Sequence, residues 1–254
     1  KVCLVTGASS GLGKATTLGL ANLGAQVVMV CRDETRGEAA RQDIIKQSNN
    51  QNVELLIADL SSLSDVYALA EKVKQRFAKL HVLINNAGVY LRKRQVTEDG
   101  FEQTLAVNYL APFLLTNLLL ELLMASVPAR IINVAGAYHA RGRLHFDDLQ
   151  LTQSYTGATA NNQAQLARVL FTYELARRLE GTDVTANCLH PGSVRTNIMR
   201  DMPEPVQLLA DTLLRPVFKN PEQGAETILY LATSPEVEAI SGKYFVNKCP
   251  VLSS

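Results

Sequence analysis

The stretch Thr6-Gly7-Ala8-Ser9-Ser10-Gly11-Leu12-Gly13 follows a short apolar run and leads directly into a helical pattern. Glycines in such a turn let the backbone bend tightly and approach a pyrophosphate, and the next helix supplies free N–H groups and the positive end of its dipole. Between the first strand and the first helix of a βαβ unit, this pattern indicates a phosphate-binding loop. The alternative is a tight strand–helix turn that holds no ligand.

The rest of the chain alternates short runs rich in Val, Ile and Leu with longer helical patterns. Most of these runs are apolar throughout, which is typical of strands buried on both faces of a parallel sheet. The predicted strands are Val2–Thr6, Gln26–Cys31, Val53–Ala58, His81–Asn85, Arg130–Val134, Val184–His190 and Lys243–Val246. The predicted helices are Gly11–Leu23, Glu34–Gln47, Ser62–Ala78, Tyr109–Ala125, Ala158–Leu179 and Pro221–Ser234. The alternation predicts an α/β fold with a single Rossmann-type, doubly wound parallel sheet of about seven strands, flanked by helices.

A single domain is expected over residues 1–254, because no linker or repeat divides the chain and this length is ample for one large core. Four prolines fall within Met202–Pro221. We interpret residues 196–220, approximately, as an insertion between the last strands rather than as a domain boundary.

The charge balance excludes the broad basic surface of a nucleic-acid-binding protein, because 25 Lys and Arg face 24 Asp and Glu. No apolar run reaches about 18 residues, so no membrane span is predicted. No signal peptide precedes Lys1, and a cytoplasmic location is expected, with an anchor upstream of Lys1 left open. The cysteines are scattered and form no CxxC pair, so they are expected to be reduced, with neither a disulfide framework nor a metal site. They are Cys3, Cys31, Cys188 and Cys249.

The ends of the second and third strands bear on the cofactor. Cys31 is followed by Arg32, at a place where a carboxylate would bind the ribose 2′-hydroxyl of NAD and an arginine can pair with the 2′-phosphate of NADP. NADP(H) is therefore favoured over NAD(H), with Lys14 as a second cation near this phosphate. Alternatively, Arg32 pairs with the adjacent Asp33. Asp59 follows the third strand, where it can contact adenine, cap the next helix, or do both.

Motifs along nearly the whole chain resemble those of the short-chain dehydrogenase/reductase superfamily. They are Thr6–Gly13, Asp59-Leu60, Asn85-Asn86-Ala87-Gly88, Asn108, and Pro191-Gly192 leading to Thr196. More narrowly, Cys31–Asp33, Gly142–Gln150, Leu170–Thr172 and Ser241–Phe245 resemble the retinol dehydrogenase-like branch. The resemblance implies an oxidoreductase that is a homodimer or homotetramer. The cofactor-binding residues that the loop, the strand ends and the resemblance indicate are Thr6, Gly7, Ser9, Ser10, Gly11, Leu12, Gly13, Arg32, Asp59, Leu60, Asn86, Ala87, Gly88, Gln165, Pro191, Gly192, Val194 and Thr196.

The resemblance also implies a catalytic tetrad of Asn, Ser, Tyr and Lys. In the family, the Tyr transfers a proton, the Lys lowers its pKa, the Ser positions the substrate oxygen and the Asn holds a relay water. The Asn is present as Asn108. Counting back along the helix Ala158–Leu179 puts Asn161 at the Tyr position and Gln165 at the Lys position, and Gly136 takes the Ser position.

These replacements remove the family's proton donor. An asparagine cannot deliver a proton near neutral pH, and a glutamine can bind a ribose hydroxyl but carries no charge. Because losing a positioned general acid–base costs about 10²- to 10⁴-fold in rate, we do not expect carbonyl–alcohol interconversion by the family's mechanism. Tyr155, on the approach to the helix, is a candidate substitute, as are Tyr138 and His139; a role in the pocket wall is the alternative for each.

The sequence thus predicts a divergent NADP(H)-binding oxidoreductase that acts on a lipophilic small molecule. Its hydride transfer would not need the usual Tyr/Lys donor, as with an imine or an enone. The alternatives are a non-redox cyclase or isomerase of the same fold, and a non-catalytic NADP(H)-binding pseudoenzyme or scaffold. A lipophilic ligand is suggested by Leu144, Phe146 and Leu149 and by apolar residues of the insertion, which could instead pack on the core or on a partner subunit.

Overall fold

The computed structural model describes residues 1–192 and 219–253, and they form a sheet between two layers of helices. The sheet has eight strands in the order β3-β2-β1-β4-β5-β6-β7-β8. The strands are β1 Val2–Thr6, β2 Gln26–Cys31, β3 Val53–Ile57, β4 Val82–Asn85, β5 Ala129–Val134, β6 Val184–His190, β7 Tyr244–Val246 and β8 Cys249–Val251. The main helices are α1 Gly11–Asn22, α2 Glu34–Ser48, α3 Leu63–Arg76, α4 Gln103–Met124, α5 Gly157–Arg178 and α6 Pro221–Thr233.

The predicted α/β fold is confirmed, with β1 to β7 paired in parallel. Apolar side chains fill both faces of the sheet, which explains why the strands lack alternation. On one face, α1, α2 and α6 cover the core that contains Val5, Val27 and Phe245. On the other face, α3, α4 and α5 cover the core that contains Leu4 and Leu83.

The sheet has eight strands, one more than the approximately seven predicted, and the additional strand is β8. β8 pairs antiparallel with β7 across a turn in which Asn247 and Lys248 have positive φ, as hairpin turns require. The strand has only three residues, all exposed, and contains Pro250, so it carries no apolar run by which the sequence could reveal it.

Three predicted helix starts differ from the observed ones. α5 begins at Gly157 instead of Ala158. α4 begins at Gln103 instead of Tyr109, because the Glu102 carboxylate accepts hydrogen bonds from the N–H groups of Thr104 and Leu105 at 2.8 and 2.7 Å. α3 begins at Leu63, and its N-cap is Ser62.

The four cysteines are free, as expected, with Cys3, Cys31 and Cys188 buried and Cys249 exposed. Among the described helices, α4 alone is long and apolar enough, by length and composition, to cross a membrane. Since 44% of its most apolar window is buried inside the protein and core helices pass the same test, this is weak evidence for a span.

Candidate active site

The glycine-rich loop forms a cradle at the carboxyl end of β1. Gly7 has φ +69°, a backbone conformation that residues with a Cβ rarely adopt. A Cβ on Gly13 would lie 2.2 Å from the Gly7 carbonyl oxygen, so α1 approaches β1 more closely than any other residue would permit. The first turn of α1 carries Gly11, Leu12, Gly13 and Lys14, and its amide groups are the donors that a helix N-terminus offers to an anion.

The ends of β1 and β4 are tied together beside this cradle. Thr6 Oγ1 accepts hydrogen bonds from the N–H groups of Asn86 and Ala87, both at 3.0 Å. Asn86 Nδ2 donates to the Thr6 carbonyl oxygen at 2.8 Å. The strand order reverses between β1 and β4, and ligands of open α/β sheets bind in the crevice at this point.

The predicted cofactor residues gather along this edge of the sheet, because the parallel strands end there together. They are Thr6–Gly13 after β1, Arg32 after β2, Asp59 and Leu60 after β3, Asn86–Gly88 after β4, and Pro191 and Gly192 after β6. Gln165 is on α5, whose start faces the same edge. Val194, Thr196 and the insertion, up to residue 218, lie outside the described residues.

Arg32 is exposed at the end of β2. Asp33 caps α2 by accepting a 2.8 Å hydrogen bond from the N–H of Arg36, and within the described part of the chain no ion pair joins Asp33 to Arg32. Lys14 is an ion pair partner of Asp43 on α2, which lowers the pKa of that carboxyl group. Arg36, in the first turn of α2, is a second cation near the end of β2, and sequence reasoning missed it.

Asp59 shapes the loop after β3 and is not the helix cap. Its Oδ1 accepts hydrogen bonds from the N–H and the hydroxyl of Ser61 at 2.9 and 2.8 Å. Its own N–H donates to Asp65 Oδ2 at 2.9 Å. These contacts hold the carboxylate within the loop after β3, and the adenine contact stays a prediction.

Asn108 lies in a π-helical segment of α4, Ala106–Leu110, and binds backbone groups on the strand β4 side. Its Oδ1 accepts from the Val89 N–H at 2.8 Å and its Nδ2 donates to the Val89 carbonyl at 2.9 Å. The Asn108 carbonyl oxygen accepts from Arg168 Nε at 2.7 Å. Each polar group of this residue's side chain thus has a structural partner.

The residues at the Ser, Lys and Tyr positions that the resemblance assigns are connected by hydrogen bonds into an amide network. Gln165 Oε1 accepts a hydrogen bond from the Gly136 N–H at 2.9 Å. Gln165 Nε2 donates to Asn161 Oδ1 at 3.4 Å. Gln163 lies between Asn161 and Gln165 on the helix and is buried. Its Oε1 accepts a hydrogen bond from the His145 N–H at 2.9 Å, and its Nε2 donates to the Leu149 carbonyl at 2.8 Å. Three amide side chains in this part of α5 thus take part in hydrogen bonds.

Tyr155 is held in a polar contact with the wall of the site. Its hydroxyl donates to the Leu91 carbonyl at 2.9 Å and lies 3.4 Å from both Glu102 Oε1 and Thr104 Oγ1. Burial and the Glu102 charge raise the pKa of Tyr155 above its usual range. A raised pKa makes this hydroxyl a weaker proton donor.

The other candidate substitutes for the proton donor, His139 and Tyr138, lie beside Gly136 at one end of the amide network. His139 is buried, with Nδ1 2.9 Å from the Gly136 carbonyl oxygen and its ring 4.6 Å from that of Tyr244. Tyr138 is 57% exposed. Tyr244 and Lys248, which have the spacing of a Tyr–Lys pair, do not act together, since Tyr244 is buried and Lys248 pairs with Glu226 at 2.8 Å.

Arg168 is the second functional candidate that sequence reasoning missed. It is 2% exposed and has the largest side chain among the fully buried residues that the structure describes. The sequence feature that could have revealed it is an arginine inside the apolar run Leu166–Phe171, one helical turn after Gln165.

The sequence profile described as short chain dehydrogenase matches residues 1–207. The chain belongs to the short chain dehydrogenase family. Members of this oxidoreductase family bind nicotinamide cofactors, and the glycine cradle is the part of the fold that accommodates their pyrophosphate.

Curated relatives of this short chain dehydrogenase include retinol dehydrogenases. It is 46% identical over 260 residues to retinol dehydrogenase 14 of Homo sapiens, with 96% of this chain and 77% of that protein covered. It is 44% identical over 250 residues to retinol dehydrogenase 13 of Homo sapiens, with 96% and 76% covered. A solved structure, the RhlG/NADP active-site complex of Pseudomonas aeruginosa, is similar at a TM-score of 0.78 and 25% identity, with 96% of this chain and 93% of that chain covered.

Proposed function

We propose that this short chain dehydrogenase is an NADP(H)-dependent reductase of a lipophilic small molecule and that its hydride transfer proceeds without a Tyr/Lys proton donor. The observation that carries this proposal is the amide network of Gly136, Gln165 and Asn161 beside an intact glycine cradle. None of the three groups in the network titrates near neutral pH. The protein therefore keeps the residues that would hold the cofactor and lacks those that would deliver a proton.

The preference for NADP(H) rests on the cations after β2. Arg32 has no carboxylate partner among the described residues, because Asp33 is engaged as the cap of α2. Arg36 adds a second guanidinium in the first turn of this helix. A phosphate on the ribose 2′-oxygen would be bound by charge-assisted hydrogen bonds from these arginines.

The remaining residues bind and orient the cofactor. The first turn of α1 would hold the pyrophosphate, and the amide of Gln165 retains a hydrogen that can bind a ribose hydroxyl. Bound NADPH supplies the hydride. Asn108 and Tyr155 are occupied by backbone carbonyl and amide groups, so neither is poised to transfer a proton.

The substrate class follows from the missing donor. An iminium ion is already positive, so addition of a hydride to its carbon gives a neutral amine and no proton is needed. An enone accepts hydride at its β-carbon, and solvent can protonate the resulting enolate. An unactivated aldehyde instead develops an alkoxide that the wild-type site cannot protonate, and the barrier rises accordingly.

The lipophilic character of the substrate is supported by the segment that Gln163 anchors to α5. This segment carries Phe146, which is 78% exposed, and Leu149, which is 40% exposed. Tyr138, next to the network, adds a further exposed ring. Large exposed apolar side chains that form a surface patch are typical of places where proteins bind apolar ligands or partners.

A homodimer or homotetramer through α4 and α5 is part of the proposal. Phe113 and Leu170 lie on these helices with 42% and 44% of their surface exposed. The mass of the protein in solution tests this assembly, and cell fractionation tests the proposed cytoplasmic location.

The function is tested by titrating the protein with NADPH, NADP⁺ and NADH and then following NADPH absorbance with a cyclic iminium ion and an enone as substrates. Tight NADPH binding with consumption of at least one substrate is the expected result. Failure to bind any nicotinamide nucleotide would contradict the proposal. Binding without consumption would favour the second candidate, a non-catalytic NADP(H)-binding protein, which the same amide network supports.

A further inference from the structure

Arg168 brings a cation into the interior of the protein without an anion to pair with it. Its Nε donates to the Asn108 carbonyl at 2.7 Å, its Nη2 to the Ala87 carbonyl at 3.1 Å, and its Nη1 to the Val134 carbonyl. Within residues 1–192 and 219–253, no carboxylate forms an ion pair with Arg168. Three neutral carbonyl groups therefore solvate the guanidinium.

The guanidinium of Arg168 is charged at neutral pH. Burial lowers the pKa of Arg168 to about 10, which still leaves the guanidinium protonated. The neighbouring thiol of Cys188 is neutral, because burial raises its pKa to about 12. The interior thus carries one net positive charge here.

The three carbonyl groups belong to segments of the candidate active site or to segments next to it, so the charge lies beside this site. Ala87 belongs to the segment Asn86–Gly88 after β4, which is predicted to line the nicotinamide side. Val134 ends β5 immediately before Ala135 and Gly136, and Asn108 lies in the π-helical segment of α4. The arginine is one helical turn beyond Gln165, on the same side of α5.

We infer that Arg168 acts as a fixed cation at the nicotinamide end of the site and makes the protein bind reduced cofactor more tightly than oxidised cofactor. This inference rests on the proposed function. The ring of NADP⁺ carries a positive charge and the ring of NADPH carries none, so only the oxidised form is repelled. The carbonyl dipoles offset part of the potential, but they cannot remove the net charge. Arg168 is accordingly a positioning and affinity-determining residue rather than one that touches the reacting atoms.

A purely structural role for Arg168 would affect both cofactor forms equally, so the ratio of their dissociation constants is the decisive readout. We expect Arg168→Met to reduce the ratio Kd(NADP⁺)/Kd(NADPH) by on the order of tenfold, as expected when one of two nearby like charges is removed inside a protein. Arg168→Lys keeps the charge and should keep most of the ratio. Calorimetry or NADPH fluorescence measures both constants on the purified protein.

Arg130 supplies the matched control. It is also buried, at 4% exposure, and its Nη1 donates to the Leu231 carbonyl at 2.9 Å. It lies about 13 Å from Val134 along β5, towards the opposite edge of the sheet. Arg130→Met should therefore leave the ratio unchanged even if it lowers stability.

Three results would be unambiguous. An Arg168→Met protein that folds and binds both forms with the wild-type ratio would overturn the inference while leaving the proposed function intact. If this variant does not fold, the wild-type protein decides, since NADP⁺ binding as tightly as NADPH would equally overturn it. Absence of binding to either form in the wild-type protein would overturn the proposed function and the inference with it.

Discussion

The Gln165 side chain accepts a hydrogen bond from the backbone N–H of Gly136 at 2.9 Å and thereby joins α5 to the end of β5. In the resemblance to short-chain dehydrogenases, these two residues occupy the positions of a lysine and a serine. A lysine ammonium could not accept this hydrogen bond, because it has no acceptor atom. The glutamine therefore has a structural role that a lysine would not fill.

Placing Ser, Tyr and Lys at the three positions that the resemblance assigns to them should create carbonyl reductase activity. Gly136 has φ −79°, and a Cβ there would lie 3.9 Å from Gln165 Cδ, so a serine fits without strain. We expect the triple variant Gly136→Ser/Asn161→Tyr/Gln165→Lys to reduce retinal with NADPH about 10²- to 10⁴-fold faster than the wild-type protein. Gly136→Ser alone supplies no proton donor and is the control. A triple variant that folds, binds NADPH and gains nothing would mean that other parts of the site have also diverged.

Gly13→Ala should abolish NADPH binding and destabilise the protein. The added Cβ would lie 2.2 Å from the Gly7 carbonyl oxygen, so α1 or β1 must shift and the cradle must open. Thermal unfolding and NADPH titration measure the two effects. Gly136→Ala is the matched control for stability, because its Cβ meets no atom closer than 3.9 Å. Normal NADPH affinity in Gly13→Ala would show that the cofactor is bound elsewhere.

Arg32→Ala should weaken binding of NADPH and leave binding of NADH unchanged, because only NADPH carries the 2′-phosphate. Loss of a hydrogen bond to a charged group costs about 1.5–3 kcal/mol, or roughly 10- to 100-fold in Kd. Arg36→Ala tests the second guanidinium in the same way. Arg177→Ala, which removes an exposed arginine paired with Glu174, is the control. Equal weakening of NADPH and NADH would argue against a phosphate contact.

Tyr155→Phe should leave turnover intact and lower stability by about 1 kcal/mol, the usual contribution of one hydrogen bond. The lost bond is the one from its hydroxyl to the Leu91 carbonyl at 2.9 Å. The raised pKa of Tyr155 keeps the hydroxyl protonated through the neutral range, so the wild-type rate should show no ionisation of this group there. Loss of all NADPH consumption in a folded Tyr155→Phe protein would instead identify Tyr155 as the donor.

Much of the fold was predictable because buried parallel strands are marked by continuous apolar runs and the glycine loop fixes where the first βαβ unit begins. The start of α4 was missed since Glu102 caps it from outside the apolar pattern, and a π-helical segment accommodates Asn108. β8 was missed because it is short and exposed. At the site, residue types could be aligned to a family pattern, but the partners of Asn108, Lys14 and Asp59 depend on contacts between distant segments.

The hydrogen-bond partners of Arg168 are the clearest example of contacts that could not be predicted from the sequence. Its position inside an apolar run gives no indication of the three carbonyl groups that receive its hydrogen bonds. Those carbonyls come from the segment after β4, from α4 and from the end of β5, and only the folded chain brings them to one point. Under the inference drawn above, the charge of Arg168 would lie one helical turn beyond the position that the resemblance assigns to a lysine.

The central claim, a reductase site without a protein proton donor, is tested most directly by comparing two substrates on the wild-type protein. NADPH oxidation is followed with a cyclic iminium ion and with retinal, each at saturating concentration and neutral pH. We predict turnover of the iminium ion and, for retinal, a rate about 10²- to 10⁴-fold below it. Reduction of retinal at an ordinary enzymatic rate of about 1–10³ s⁻¹ would contradict the account.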